Sequence, residues 1–267
     1  MSNVDSGRRI QAARYRAPSS VEDAVEAFWA GRWSLEGEAP HTSRLLADPS
    51  VHFVFEDGTG SQVGARVVGV WTRLWERELA GRGRVRGIKL HPGAVRAFTD
   101  RPAHTLTDLI VPLAELFDDA AALHTELTDV DDDEVAFTHI ESWLVSHRRA
   151  DAEVGEAIAL VRAIRDDPEL TSVDQLAQQT GTRVRQLQRL FRNHVGATPK
   201  WVIRVNRLQE VALRLERGDD RTLADLAAAL GYTDQAHLAR DFKAIVGEPP
   251  SRFLLSYNSS ETHDCPP

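Results

Sequence analysis

The fold of the second half of this chain is decided by two related stretches, GTRVRQLQRLFRNHVG at residues 181–196 and GYTDQAHLARDFKAIVG at residues 231–247. Matching residues recur 50 or 51 positions apart, as in the pairs Leu176 and Leu226, Leu187 and Leu238, Phe191 and Phe242, and Gly196 and Gly247. Each copy is typical of a short helix, a turn at a glycine and a longer helix that a second glycine ends. The repeat therefore predicts two helix-turn-helix units, the first at residues 172–196 and the second at residues 222–247.

The longer helix of the first unit, predicted over residues 182–195, has one apolar and one polar face. Because an α-helix turns by about 100° per residue, the leucines, valines and Phe191 of this segment gather on one side. The opposite side carries Arg185, Gln188, Arg189 and Arg192. A helix fits the major groove of DNA, where arginine can bind guanine and glutamine can bind adenine through paired hydrogen bonds. These four side chains are therefore the candidate DNA contacts of the first unit.

A solvated polar surface is the alternative interpretation of that face, because most charged helix faces are simply exposed to water. The sign of the charge argues against this alternative. From Arg183 to Arg214 there are eight basic residues and one acidic residue, Glu210, whereas an ordinary surface mixes both signs. The stretch has the basic excess that neutralises phosphates.

The second unit is chemically different on the corresponding face of its longer helix, predicted over residues 235–246. The repeat places four residues there: Ala236, Ala239, Arg240 and Lys243. The alanines can meet thymine methyl groups and the two cations can hold phosphate, so this unit is expected to form fewer hydrogen bonds to bases. Asp234 and Asp241 are expected to offset the two cations. A purely structural role for the second unit stays open.

A linker helix is predicted between the two units, from Pro199 to Gly218. With about 18 helical residues at about 1.5 Å per residue, its length is about 27 Å. Successive major-groove faces of DNA lie about 34 Å apart. A rigid connector of this length can place the two longer helices near successive major grooves.

The segment GYTDQAHLARDFKAIVGEPPSRFL, residues 231–254, closely resembles the signature of AraC/XylS transcription regulators. The segment begins with the glycine and the aromatic residue of the turn. A leucine, a basic residue, a phenylalanine, a glycine and a proline then follow in the order of the family signature. The preceding residues 181–215 are similar to the first helix-turn-helix and the linker helix of that family. An ordered match of this length is far more specific than one short motif.

This resemblance implies an all-α DNA-binding domain at residues 151–257, with two helix-turn-helix units and a linker helix. Residues 258–267 are predicted to form a flexible tail. The residues implied to contact bases or phosphates are Arg185, Gln188, Arg189, Ala236, Ala239 and Arg240, and those implied to bind phosphates are Arg192 and Lys243. Double-stranded promoter DNA and RNA polymerase are the implied partners. Arg183 stands where the family usually has a small hydroxyl residue, which suggests Thr182 as the cap of the helix.

Residues 1–150 are predicted to form a mostly β domain with helices at its end, so that the whole chain is of the α+β class. Strands are predicted over residues 25–35, 51–57, 65–71 and 84–90, and helices over 106–117 and 133–147. The segment is also similar to a tryptophan-bearing N-terminal domain of some AraC/XylS regulators. That similarity implies that it senses a small-molecule effector or forms a homodimer.

No catalytic, cofactor or metal site is predicted. The histidines lack the spacing of metal ligands, and the single cysteine, Cys265, cannot form an intramolecular disulfide. The tryptophans of the first half are better explained as core than as the lining of a ligand pocket: Trp29, Trp33, Trp71 and Trp75. We therefore expect a protein that is not an enzyme and needs no cofactor. With no signal peptide or membrane-spanning stretch, it is expected in the cytoplasm.

The net charge of −8 over 267 residues argues against DNA binding until the charge is divided along the chain. Residues 151–267 carry 15 lysines and arginines against 17 aspartates and glutamates, while residues 1–150 carry 17 against 23. Most of the acidity thus belongs to the half that need not touch DNA. The expected function is a sequence-specific DNA-binding transcription regulator, either activator or repressor. The alternative is a ligand-binding protein or enzyme whose helical half no longer binds DNA.

Overall fold

The computed structural model describes residues 10–45, 47–59, 63–216, 222–247, 249–250 and 252. The strands are β1 (Ile10–Arg16), β2 (Val25–Leu35), β3 (His41–Leu45), β4 (His52–Gly58), β5 (Gly64–Val68), β6 (Trp75–Leu79), β7 (Gly81–Leu90) and β8 (Ile110–Pro112). The helices are α1 (Ala120–Thr128), α2 (Asp133–Ser146), α3 (Val154–Asp166), α4 (Val173–Thr180), α5 (Val184–Leu190), α6 (Pro199–Glu216), α7 (Leu223–Ala229) and α8 (Gln235–Val246). A β-rich first half thus precedes a helical second half, as the sequence predicts. In the part of the chain that is described, no helix has the length and apolar character needed to cross a membrane.

Six strands form one antiparallel sheet in the order β1-β2-β7-β4-β5-β8, while β3 and β6 pair as a separate ribbon. Because side chains alternate across a strand, one face of the sheet carries Phe28, Phe53 and Ile88, which pack in a core with side chains of α1 and α2. Phe28 stacks on Phe137 of α2 with the ring centroids 5.0 Å apart. The core of the first half therefore lies between the sheet and these two helices.

Two tryptophans of β2 pack against glycines of the neighbouring strand β7. Trp29 lies against Gly87, and Trp33 lies against Gly83. A methyl group added to either glycine would come within 2.1 Å of the indole ring, so a larger residue cannot fit without moving the tryptophan. Trp33 is buried, and its ring nitrogen donates a hydrogen bond to the carbonyl of Ala80. The structure places these two tryptophans in the packing of the sheet.

The helix predicted over residues 106–117 is wrong. Residues Ile110–Pro112 form edge strand β8, which a short 3-10 turn follows. Asp108 interrupts the helix because its backbone is left-handed, with a φ of 56°. Its carboxylate accepts hydrogen bonds from the amide and the hydroxyl of Thr72 at 2.8 and 2.7 Å. A contact distant in sequence has thus overridden the helical spacing.

Several elements of the helical half begin or end at residues that local sequence marks predict. Ser172 and Gln175 form a capping box at the start of α4. Gly181, Gly196 and Gly247 terminate helical segments with φ of 67°, 86° and 90°. Glycine adopts this left-handed conformation without the steric cost that other residues have. The predicted stops at these three glycines are therefore confirmed.

The first of the longer helices differs in detail from its predicted bounds of 182–195. Helix α5 begins at Val184 and passes at Phe191 into a π-helical turn. Thr182 is not the cap, because Arg183 occupies that position and the Thr182 hydroxyl donates to the carbonyl of Thr180 at 3.5 Å. The second longer helix, α8, has its predicted bounds. The predicted linker end at Gly218 and the tail at 258–267 lie outside the described residues.

The two halves of the chain are in contact around the end of α5. Trp201 of α6 packs against apolar clusters of both halves. The hydroxyl of Thr107 donates to the carbonyl of Gly196 at 2.6 Å. The side chain of Gln209 donates to the carbonyl of Ala47 at 3.1 Å, and Ala47 is itself buried against α6 and the second unit. The helical half is therefore packed directly on the sheet half.

Candidate nucleic-acid interface

Helix α5 and its π-helical turn are anchored in the helical half through one apolar face. The anchoring side chains are Leu187, Leu190, Phe191 and Val195, all fully buried. They pack in one cluster with apolar side chains of α3, α4 and α6. Since this packing fixes the rotation of the helix, it also fixes which side chains point away from the protein.

The opposite face carries the four polar residues that the sequence predicts as DNA contacts. Arg185, Gln188, Arg189 and Arg192 are all exposed. Arg185 and Gln188 lie about one turn apart, and no described residue forms a hydrogen bond or ion pair with either side chain. These two side chains are therefore available to a ligand outside the protein.

Arg189 is paired with Glu153, the residue at the cap position of α3. Its Nη1 lies 2.9 Å from Oε2 of Glu153, and its Nη2 lies 2.5 Å from Oε1. The hydrogen bonds from Arg189 lower the pKa of the Glu153 carboxyl, and Glu153 in turn raises the pKa of the Arg189 guanidinium. A parallel contact joins Gln186 to Glu156 at 3.1 Å. The start of α3 thus lies along one flank of α5.

Arg192 lies where the first half of the chain meets α5. Its guanidinium is 3.4 Å from Nε2 of His104, in the 3-10 turn Ala103–Thr105. The same turn closes over the end of the π-helical segment, where a methyl group on Gly196 would be 3.0 Å from the carbonyl oxygen of Ala103. Two of the four predicted DNA contacts therefore touch other parts of the chain.

A buried polar cluster behind α5 has no counterpart in the sequence predictions. His194 is 2% exposed, and its Nε2 lies 3.2 Å from Oδ1 of Asp151. Arg96 of the first half donates to Oδ2 of the same carboxylate at 2.8 Å. Burial alone would raise the pKa of Asp151, but hydrogen bonds from Arg96, the amide of Glu153 and His194 lower it to about 2. No local pattern indicates this cluster, because Asp151 is 43 residues from His194 and 55 from Arg96.

Helix α8 presents the second set of predicted residues. Ala236, Arg240 and Lys243 are exposed and Ala239 is half-buried. Asp234 caps α8 by accepting a hydrogen bond from the amide of His237 at 2.7 Å. Asp241 lies 4.0 Å from a guanidinium nitrogen of Arg204 on α6. Asp234 and Asp241 were expected to offset Arg240 and Lys243. In the structure, both acids instead contact other groups.

A buried arginine connects α6 to the second unit. Arg207 is 8% exposed, and its guanidinium carbon lies 4.3 Å from the centroid of the Tyr232 ring. Tyr232 is the aromatic residue of the turn before α8, and burial raises its pKa to about 12. The contact fixes the second unit on α6. Within the described ranges, no group of three or more His, Cys, Asp and Glu side chains is arranged to hold a metal ion.

Two family models match the chain, one in each half. A helix-turn-helix domain matches residues 176–256, and a domain of unknown function, DUF6597, matches residues 13–112. The probable transcription factor PqrA of Proteus vulgaris is 31% identical over 91 residues, which make up 34% of this chain and 74% of PqrA. The transcriptional activator RhaS of Pectobacterium atrosepticum is 32% identical over 75 residues, 28% of this chain and 26% of RhaS. The crystal structure of ToxT from Vibrio cholerae covers 94% of this chain and 99% of its own, with a TM-score of 0.45 and 11% identity.

Proposed function

The chain belongs to the AraC/XylS family of helix-turn-helix transcription regulators, and from that premise we propose that α5 is its principal DNA-recognition helix. The observation that carries this proposal is the division of α5 into a fully buried apolar face and an exposed basic face. A helix that is held by one side and basic on the other has the form that enters the major groove.

The exposed residues of α5 have different roles in this proposal. Arg185 and Gln188 have no partner in the described part of the chain, so they bind base edges, arginine at guanine and glutamine at adenine. Arg189 contacts a base or a phosphate after it leaves Glu153. Arg192, at the end of the helix and beside the first half, binds a phosphate.

Helix α8 is proposed to enter the next major groove. Its exposed Ala236 and half-buried Ala239 meet thymine methyl groups, and Arg240 and Lys243 hold phosphates. Helix α6, with 18 residues, is about 27 Å long and holds the two recognition helices apart. The cation–π contact between Arg207 and Tyr232 supports a fixed position of α8 on this connector.

The chain is proposed to divide into a regulatory part at residues 1–150 and a DNA-binding part at 151–257. Support comes from the segment without regular helix or strand between α2, which ends at Ser146, and α3, which begins at Val154. The regulatory part binds a small-molecule effector or a second copy of the chain, and promoter-bound protein contacts RNA polymerase. In this proposal the protein works in the cytoplasm by binding and not by catalysis.

A shift assay with the DNA upstream of the protein's own gene tests the proposal. We expect Arg185→Ala to weaken binding by about 1–3 kcal/mol and to relax the preference at one base position. The matched control is Arg16→Ala, which removes a 91% exposed arginine from edge strand β1 and is expected to leave binding unchanged. Equal losses in both variants would overturn the assignment of α5. A wild-type protein that forms no specific complex even at low salt would instead favour a ligand-binding protein or enzyme.

A further inference from the structure

The pairing of Arg189 with Glu153 has a consequence for DNA binding, given the proposed function of α5. We propose that Glu153 is an intramolecular competitor of DNA. In the free protein it occupies the Nη1 and Nη2 edge of the Arg189 guanidinium, through which DNA would bind, and it thereby lowers the affinity of the first recognition helix.

The competition follows from the chemistry of the guanidinium group. Arg189 uses both Nη1 and Nη2 on the two carboxylate oxygens of Glu153, at 2.9 and 2.5 Å. A phosphate and the O6 and N7 atoms of guanine bind arginine through the same pair of parallel hydrogen bonds. Because one edge of the guanidinium serves one partner at a time, DNA that binds Arg189 through Nη1 and Nη2 has to displace Glu153.

The position of Glu153 is set by its surroundings. Its amide donates to Oδ1 of Asp151 at 2.9 Å. Asp151 is held in turn by Arg96 of the first half and by His194 in the π-helical turn after α5. The segment that contains Glu153 is therefore held both by the first half and by the π-helical turn. The carboxylate of Glu153 points toward α5.

The pair is nevertheless open to displacement. The side chains of Arg189 and Glu153 are 51% and 36% exposed. Exposed ion pairs are weak, so removing this one is expected to change DNA affinity by about two- to five-fold and not by orders of magnitude. Salt screens an exposed pair, so the effect is expected to shrink as the ionic strength rises.

Glu153→Gln tests the proposal, because glutamine keeps the shape and removes the charge. The Glu153 side chain makes no capping hydrogen bond to α3, so the substitution does not remove a helix cap. Glu156→Gln is the matched control: it removes the same charge about one turn along α3, from a residue that hydrogen-bonds to Gln186 and acts on Arg189 only through a weaker Coulomb interaction. We expect Glu153→Gln, measured with DNA from upstream of the gene, to bind about two- to five-fold more tightly than the wild type and more tightly than Glu156→Gln.

The same comparison in an Arg189→Ala background separates competition from general repulsion of DNA. If Glu153 acts through Arg189, Glu153→Gln will add no more affinity there than Glu156→Gln does. An undiminished gain in that background, or equal gains from both glutamine variants, would overturn the competition. If Arg189→Ala alone leaves affinity unchanged, the DNA contact of Arg189 fails first, and the proposed function of that residue fails with it.

Discussion

Single residues of α5 divide into those that hold the helix and those available to DNA, and the two sets respond differently to substitution. Phe191 is fully buried, so Phe191→Ala is expected to destabilise the fold by about 3–5 kcal/mol. Arg185 is exposed and without a described partner, so Arg185→Ala is expected to change the free energy of unfolding by less than about 0.5 kcal/mol. Urea denaturation of both variants checks this contrast. A large stability loss in Arg185→Ala would show that the residue has a structural role.

The lowered pKa of Asp151, at the junction of the two halves, predicts that the stability of the fold depends on pH. Its pKa is about 2 in the folded protein against an ordinary value of 3.8, so the group stabilises the fold at pH above about 4. That contribution is lost as the pH falls from about 4 toward about 2. The Tm of the wild type is expected to exceed that of Asp151→Asn at pH 6, and the difference should close over that acidic range. A difference that stays constant down to the lowest pH would contradict the assignment.

At the scale of elements, two glycines that end helical segments differ in what surrounds them. Both Gly181 and Gly196 are left-handed, so alanine at either position is expected to cost about 1–2 kcal/mol. Nothing lies within 4 Å of a methyl group added at Gly181, whereas one at Gly196 would lie 3.0 Å from the carbonyl oxygen of Ala103. Gly196→Ala is therefore expected to be the more destabilising variant in urea denaturation. Equal losses of stability in the two variants would mean that the first half makes no close steric contact at Gly196.

The elements that the sequence predicts correctly are those whose determinants are local. The capping box of Ser172, the glycine stops and the apolar face of α5 all depend on residues within two turns of one another. The edge strands β1 and β3 escape such prediction, because charged and polar residues at sheet edges break the apolar pattern. The helix expected at 106–117 fails because Asp108 bonds to Thr72, 36 residues away.

The same limit applies to the candidate site. The sequence predicts that three arginines and a glutamine share one face, because helical spacing is regular. The partners of these side chains cannot be predicted from the sequence, since Glu153 lies 36 residues from Arg189 and His104 lies 88 residues from Arg192. The sequence identifies which side chains share the surface, and tertiary packing decides which of them are already engaged.

At the scale of the whole molecule, the net negative charge is divided unevenly between two parts of the chain. The first half has 17 basic and 23 acidic residues, while the stretch from Arg183 to Arg214 has eight basic residues and one acidic one. A basic surface confined to one helix and its linker is expected to give modest non-specific affinity. The first half also contacts the π-helical turn after α5 and its terminal Gly196 through His104 and Thr107, so a change in its structure can be transmitted to the proposed DNA-contacting face.

The most direct test of the central claim is the ratio of affinities for two DNA duplexes, measured by fluorescence anisotropy with the full chain at one fixed salt concentration. One duplex comes from upstream of the gene, and the other has the same bases in scrambled order. We expect the wild type to prefer the first by about 10³-fold or more, and a folded variant with both Arg185→Ala and Gln188→Ala to lose most of that preference. A wild type that binds both duplexes equally, or a variant whose ratio is unchanged, would contradict the assignment of α5 as the recognition helix.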